Sequence, residues 1–187
     1  GIRDAISTLY NSLQDFSLDT SSATYAAVVV DAFDNLAATL NEKYVNLEEV
    51  GEKYKVDLQT YNSVVNNNLA KIAAINKDIR ESMVSNQYTE QYGPNELLDE
   101  RNMLIDEIST YGEVAVKYNS DGTVDVTIGG HTAVDGEVAD SIVYRENSDG
   151  TVNLTWKSKG EDAVPGKGIL NATVDLLNGR GPSIQNS

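Results

Sequence analysis

Apolar residues recur along this chain with one long, nearly unbroken helical period. Alternate steps of four and three from Leu40 fall on Tyr44, Leu47, Gly51, Tyr54, Leu58, Tyr61, Val65, Asn68, Ile72, Ile75 and Ile79. This is a heptad seam of the coiled-coil kind, and it runs backwards through Ala37, Phe33 and Val30. No proline interrupts the stretch from Ser21 to Ser85, and its single glycine, Gly51, costs about 1 kcal/mol relative to alanine. The pattern predicts one helix over about 21–85, spanning about 95 Å at 1.5 Å per residue. A stripe that long must be buried on other helices. Ahead of it, Ile2, Ile6, Leu9, Leu13 and Phe16 predict a helix over about 1–16. Ser17–Ser22 then offers N-cap residues, and Ala26, Ala27 and Ala32 permit the first helix to fold back closely. After a polar loop, Ser85–Gly93, Pro94 suits the first turn of a further helix to about Tyr111. Its stripe is Leu97, Leu98, Leu104, Ile105 and Ile108, and it should lie antiparallel along Val65–Met83.

The period then switches from helical to alternating. Glu113–Tyr118, Thr123–Ile128, His131–Asp135, about Ser141–Arg145 and Thr151–Trp156 predict four or five strands in one small sheet. Val114, Val116, Val124, Val126, Ile142, Tyr144, Leu154 and Trp156 are its candidate core. Asn119-Ser-Asp-Gly122 recurs as Asn147-Ser-Asp-Gly150, and each copy is hairpin-turn chemistry. Ile169 to about Asn178 returns to helix, stopped by Gly179, and Gly181–Ser187 is a polar tail. The fold class expected is α+β: an elongated antiparallel helical bundle built on one very long helix, with a small antiparallel β-hairpin domain. The expected division is a helical rod over 1–111, the β domain over 112–164, and a returning helix with polar tail over 165–187.

Two irregular features sharpen the picture. Asn68 falls on the seam beside Asn66 and Asn67. A buried seam asparagine can fix register and partner number. A straight helix also drifts against a strict heptad, so the preferred reading moves the seam to Leu69 and leaves all three asparagines solvated. Tyr44, Tyr54 and Tyr61 read as packing residues with hydroxyls at the rim.

Charge and composition narrow the function. The 187 residues carry 29 Asp and Glu against 14 Lys and Arg, a net charge of −15. Such a surface repels phosphate backbones and anionic lipid, so neither nucleic acid nor membrane insertion is expected. There is no cysteine, hence no disulfide framework or thiol chemistry. The two NSDG turns resemble calcium loops only faintly. The positions two residues before each Asn hold Lys117 and Arg145, and the twelfth positions hold Ile128 and Trp156, where a bidentate Glu would be needed. His131 is a lone histidine with no cysteine partner for zinc and no G-x-S-x-G neighbour. Pro165-Gly-Lys-Gly168 lacks the spacing of a phosphate loop. Glu42, Glu48, Glu49, Glu52 and Asp57 read as a solvated helix face. Asn153-Leu-Thr155 and Asn171-Ala-Thr173 match the glycosylation pattern, which arises easily by chance. No catalytic, cofactor-binding or metal-ligating residue is assigned, and no enzyme activity is expected.

One run goes further. Pro94–Ser109, PNELLDERNMLIDEIS, resembles the signature of the flagellar hook-associated protein FlgK family, with Asn102 where many relatives carry Asp. Val65, Asn66, Leu69, Ile72, Ile75, Asn76 and Ile79 are similar to that family's long helix. Asp121-Gly-Thr-Val124, Ile128-Gly-Gly130 and Val134-Asp-Gly136 follow its order of turns, and Gly166–Arg180 resembles its entry to the next helix. The resemblance implies a central fragment lacking both terminal domains. It implies a non-catalytic structural component of the bacterial flagellum at the hook–filament junction, working by subunit–subunit packing. Its implied partners are copies of itself in a ring, the hook protein and a second junction protein on the filament side. The implied location is extracellular, after export by the flagellar secretion apparatus. A C-terminal helix beyond this stretch would supply part of the seam's packing, so a partly exposed apolar stripe or self-pairing is expected. The competing readings are another secreted rod-like surface protein, or an adhesin with a β binding module on a helical stalk.

Overall fold

The computed structural model describes residues 1–84 and 95–179. The fold is α+β. Four helices, α1 (Ile2–Leu18), α2 (Ala23–Val84), α3 (Asn95–Tyr111) and α4 (Ile169–Leu177), accompany six strands. The strands are β1 (Val114–Tyr118), β2 (Val124–Ile128), β3 (His131–Asp135), β4 (Val138–Ala139), β5 (Ile142–Glu146) and β6 (Val152–Trp156). The long predicted helix is α2. The expected loop Ser85–Gly93, Pro94 and the tail Gly181–Ser187 lie outside the described residues.

The chain divides into two compact units, Gly1–Lys53 and Tyr54–Ser187. In the first, α1 and the start of α2 form a helical hairpin. The Asp19 carboxylate accepts hydrogen bonds from the Ser21 amide and hydroxyl. Ser22 then caps α2 by accepting the Tyr25 amide at 3.3 Å, satisfying one of the helix's orphan donors. The buried residues are small, Ala5, Ser12 and Ala32, while Ala27, also expected at the contact, is exposed. The seam itself stays open here. Val30, Phe33, Leu40, Tyr44 and Leu47 are exposed, Leu47 by 71%. Tyr44 is 61% exposed and Tyr54, at the start of the second unit, 39%, so neither packs in the way expected of them. The heptad pattern specifies a stripe and not its cover, and no second layer lies over these positions among the described residues.

In the second unit the seam closes. Leu58, Val65, Leu69, Ile72, Ile75 and Ile79 are buried in one core with α3, both sheets and α4. Contacts fix α3 as antiparallel to α2. Its Arg101, Glu107 and Tyr111 meet Asn76, Asn68 and Tyr61 in turn. Tyr61 thus packs as predicted, with its ring 5.7 Å from that of Tyr111.

The strands form two sheets where the sequence predicts one. One sheet has the order β1-β2-β3-β4, and β5 pairs with β6 in a second. The two-residue β4 is too short to leave an alternating pattern. A register shift between Val126 and Thr127 marks a bulge against β3, which explains why the adjacent Ala133 and Val134 are both buried. Gly129 and Gly130, with φ +56° and +83°, make the two-residue turn that needs positive φ at both positions. Gly129 also backs onto the chain, and a Cβ there would meet the Val164 carbonyl oxygen at 2.0 Å. Where the chain enters and leaves the sheets it touches itself, the Glu113 amide donating to the Pro165 carbonyl at 2.7 Å.

Candidate functional site

The most elaborate polar chemistry lies where helix meets sheet. A primary amide carries one acceptor and two donors, so an asparagine side chain can copy the edge of a neighbouring strand. Three asparagines do so. Asn66 Oδ1 accepts the Ile142 amide and its Nδ2 donates to the Ile142 carbonyl, both at 2.8 Å. Asn178, just past α4, makes the same pair with Val152 at 2.8 and 2.9 Å. Asn76, wholly buried, accepts the Val124 amide at 3.1 Å and donates to the Val124 and Gly136 carbonyls. Asn62 adds a donor to Ile142 at 3.0 Å. These outward-facing strand groups would otherwise be buried without partners, at about 1–3 kcal/mol each.

Arg101 completes the joint. Its side chain runs from α3 to donate, through Nη1, to Asn76 Oδ1 at 2.9 Å and to the Gly122 carbonyl at 2.8 Å. It is 2% exposed, and no carboxylate pairs with it among the described residues. Burial lowers its pKa from the ordinary guanidinium value. One guanidinium therefore holds α2, α3 and the first hairpin turn together. The ion pairs Lys55–Glu146 and Arg80–Glu137 mark the two ends of the same contact. Sequence reasoning favours solvation for Asn66, Asn67 and Asn68. Only Asn67 is exposed. Asn68 is buried and donates to Glu107 Oε2 at 2.8 Å, because α3 and the sheets cover both flanks of the seam and Leu69 alone cannot mark its centre. The signal that could have found the joint was the spacing of Asn62, Asn66 and Asn76 on a helix facing a β module.

The remaining candidates have local tasks. In both NSDG turns the aspartate accepts the hydroxyl and amide of the following threonine, Thr123 or Thr151, and Gly122 and Gly150 take positive φ. His131 stacks on Trp156, centroids 4.1 Å apart. Its Nε2 meets Asp140 Oδ2 at 2.9 Å, the same oxygen that Ser158 Oγ reaches. In a nucleophilic triad the imidazole stands between carboxylate and hydroxyl. Here the carboxylate stands between them, and Asp140 links the end of one sheet to the end of the other.

These carboxylates make the β module sensitive to acid. The Thr123 hydroxyl holds Asp121 below the ordinary carboxylate pKa, Thr151 does so for Asp149, and the Asn119 amide for Asp125. For Asp140, burial acts upwards but is outweighed by hydrogen bonds from Ser158, Ser141 and His131. A depressed folded pKa gives stabilisation that is complete above the unfolded value and is lost as pH falls through the folded one. The melting temperature should therefore hold at neutral pH and fall below about pH 4. Asp140→Asn should shrink that fall, as read by Trp156 fluorescence.

A long helix whose side-chain amides anchor a β module inserted after an antiparallel partner helix defines a helical structural domain. The family model described as the flagellar hook-associated protein FlgK helical domain matches residues 1–187, and the chain belongs to that family. It is 31% identical over 124 residues to flagellar hook-associated protein 1 of Bacillus subtilis (strain 168), a match covering 65% of this chain and 23% of that protein. It superposes on the flagellar hook junction protein FlgK from Burkholderia pseudomallei with a TM-score of 0.79 at 19% identity, covering 94% of this chain and 33% of that one. The matches thus span about a quarter to a third of these relatives. No helix among the described residues is long and apolar enough to cross a membrane.

Proposed function

We propose that the chain is a structural part of the bacterial flagellum, adapting hook to filament at their junction through subunit–subunit packing. The observation that carries this reading is the family match across residues 1–187. In this role its partners are neighbouring copies in a ring, the hook protein and a second junction protein on the filament side. The protein acts outside the cell after export by the flagellar secretion apparatus, and it catalyses nothing. Residues 1–111 serve as the rod, 112–164 as the β domain and 165–187 as the return to helix.

The open seam supports packing as the mechanism. Val30, Phe33, Leu40, Tyr44 and Leu47 keep heptad spacing while exposed, and we assign their cover to a further helix of the longer protein. The isolated chain should then bind an apolar-surface dye strongly. Leu47→Gln should reduce the binding and change stability by no more than about 0.5 kcal/mol, as surface substitutions do. A chain that binds no dye and sediments as a compact monomer would argue against the assignment. The role itself is tested by deleting the gene in the source bacterium. Bare hooks and unassembled flagellin in the medium, reversed by the intact gene, are expected. Normal filaments would overturn the reading.

A further inference from the structure

The chain contains one Asn-Gly pair, Asn178-Gly179, and it sits at a joint. In such a pair the absence of a side chain on the glycine leaves its backbone nitrogen open to attack the neighbouring side-chain amide. We propose that Asn178 is a folding-gated deamidation site, protected while α4 is docked on β6 and converted irreversibly once that contact opens.

Three features of the folded joint oppose the reaction. The Asn178 side chain is held at both ends, Oδ1 accepting the Val152 amide and Nδ2 donating to the Val152 carbonyl. The attacking nitrogen, that of Gly179, already donates to the Leu176 carbonyl at 3.3 Å. The backbone between them is fixed in a helix-end geometry, Asn178 at φ −86° and ψ 9° with Gly179 at φ +67°. Freed from these restraints, Gly179 N loses its proton and bonds to Asn178 Cγ. The Cγ–Nδ2 bond breaks and ammonia leaves with the proton. Water then opens the resulting succinimide at either carbonyl, giving aspartate or isoaspartate.

The product cannot rebuild the joint. An aspartate at this position has no N–H for the Val152 carbonyl and sets a carboxylate oxygen against it. An isoaspartate also adds a backbone carbon at the end of α4. Conversion therefore records time spent with this joint open, and it is an irreversible step open to any copy that stays unfolded.

The test incubates the whole chain at pH 8.5 and 37 °C, folded or in urea, and reads the one-dalton gain on the Asn178 peptide by mass spectrometry. Exchange-type reactions of a closed region scale with its open population, so folded chain should convert at least about tenfold more slowly than chain in urea. Asn119 and Asn147, each followed by serine, serve as internal controls and should convert more slowly than Asn178 in urea. Gly179→Ala should abolish the difference between Asn178 and these controls in urea. Equal rates in folded and unfolded chain, or controls that outpace Asn178 in urea, would overturn the proposal.

Discussion

Replacing Asn76 by alanine should cost about 4 kcal/mol of folding stability. The substitution removes four hydrogen bonds, to the Val124 amide and carbonyl, the Gly136 carbonyl and Arg101, each worth about 1 kcal/mol net. Three of the stranded groups are backbone groups, the Val124 amide and carbonyl and the Gly136 carbonyl. The fourth is the buried Arg101 guanidinium, which would keep only the Gly122 carbonyl as acceptor. Asn67→Ala, on an exposed position of the same helix, should change stability by less than about 0.5 kcal/mol. Urea denaturation of both variants measures the contrast. Equal midpoints would mean that the joint at Asn76 contributes nothing beyond its packing volume.

The second large effect is expected at Gly129. Alanine there must hold φ near +56° and place a Cβ 2.0 Å from the Val164 carbonyl oxygen. The clash is with backbone, which cannot swing aside as a side-chain tip would. Gly129→Ala should destabilise the fold by about 3 kcal/mol or more, combining left-handed strain with displacement of the 164–165 segment. Gly130 separates the two terms. Its φ is also positive, but a Cβ would meet nothing within 4 Å, so Gly130→Ala should show the strain alone, about 1 kcal/mol. Thermal melts of the pair decide between steric and conformational causes, and equal losses would refute the steric one.

The parts of the fold that were legible in the sequence are those that repeat. The heptad from Val30 to Ile79 announces α2, and PNELLDER-type spacing with Leu104, Ile105 and Ile108 announces α3. The two NSDG turns and Gly129-Gly130 place their hairpins because each turn needs glycine at a particular φ. What the sequence does not display is what covers a stripe. Leu47 and Leu58 both lie on the heptad seam, yet one is exposed and the other buried. The difference lies in distant residues that the period does not contain. The same blindness explains the asparagines. Polarity predicts solvation for Asn66 and Asn68, whereas their amides supply partners to Ile142 and Glu107 once the β module and α3 have been brought alongside. Arg101 stands inside the family-like run, and its sequence position gives no hint that it reaches across α2 to a turn. The division into two sheets was hidden for a related reason, since a two-residue strand and a bulge leave no alternation to count.

The stitch between the Glu113 amide and the Pro165 carbonyl has a consequence for how this chain can vary. It fixes the distance between the two points where the backbone leaves the helices and rejoins them, independently of how much chain lies between. Residues can be gained or lost in the exposed turn at 147–150 without altering the spacing of α3 and α4, whereas the turn at 119–122 is held by Arg101. Length variation is thus confined to the outer end of the second hairpin, and the helical part can stay constant while that end diverges.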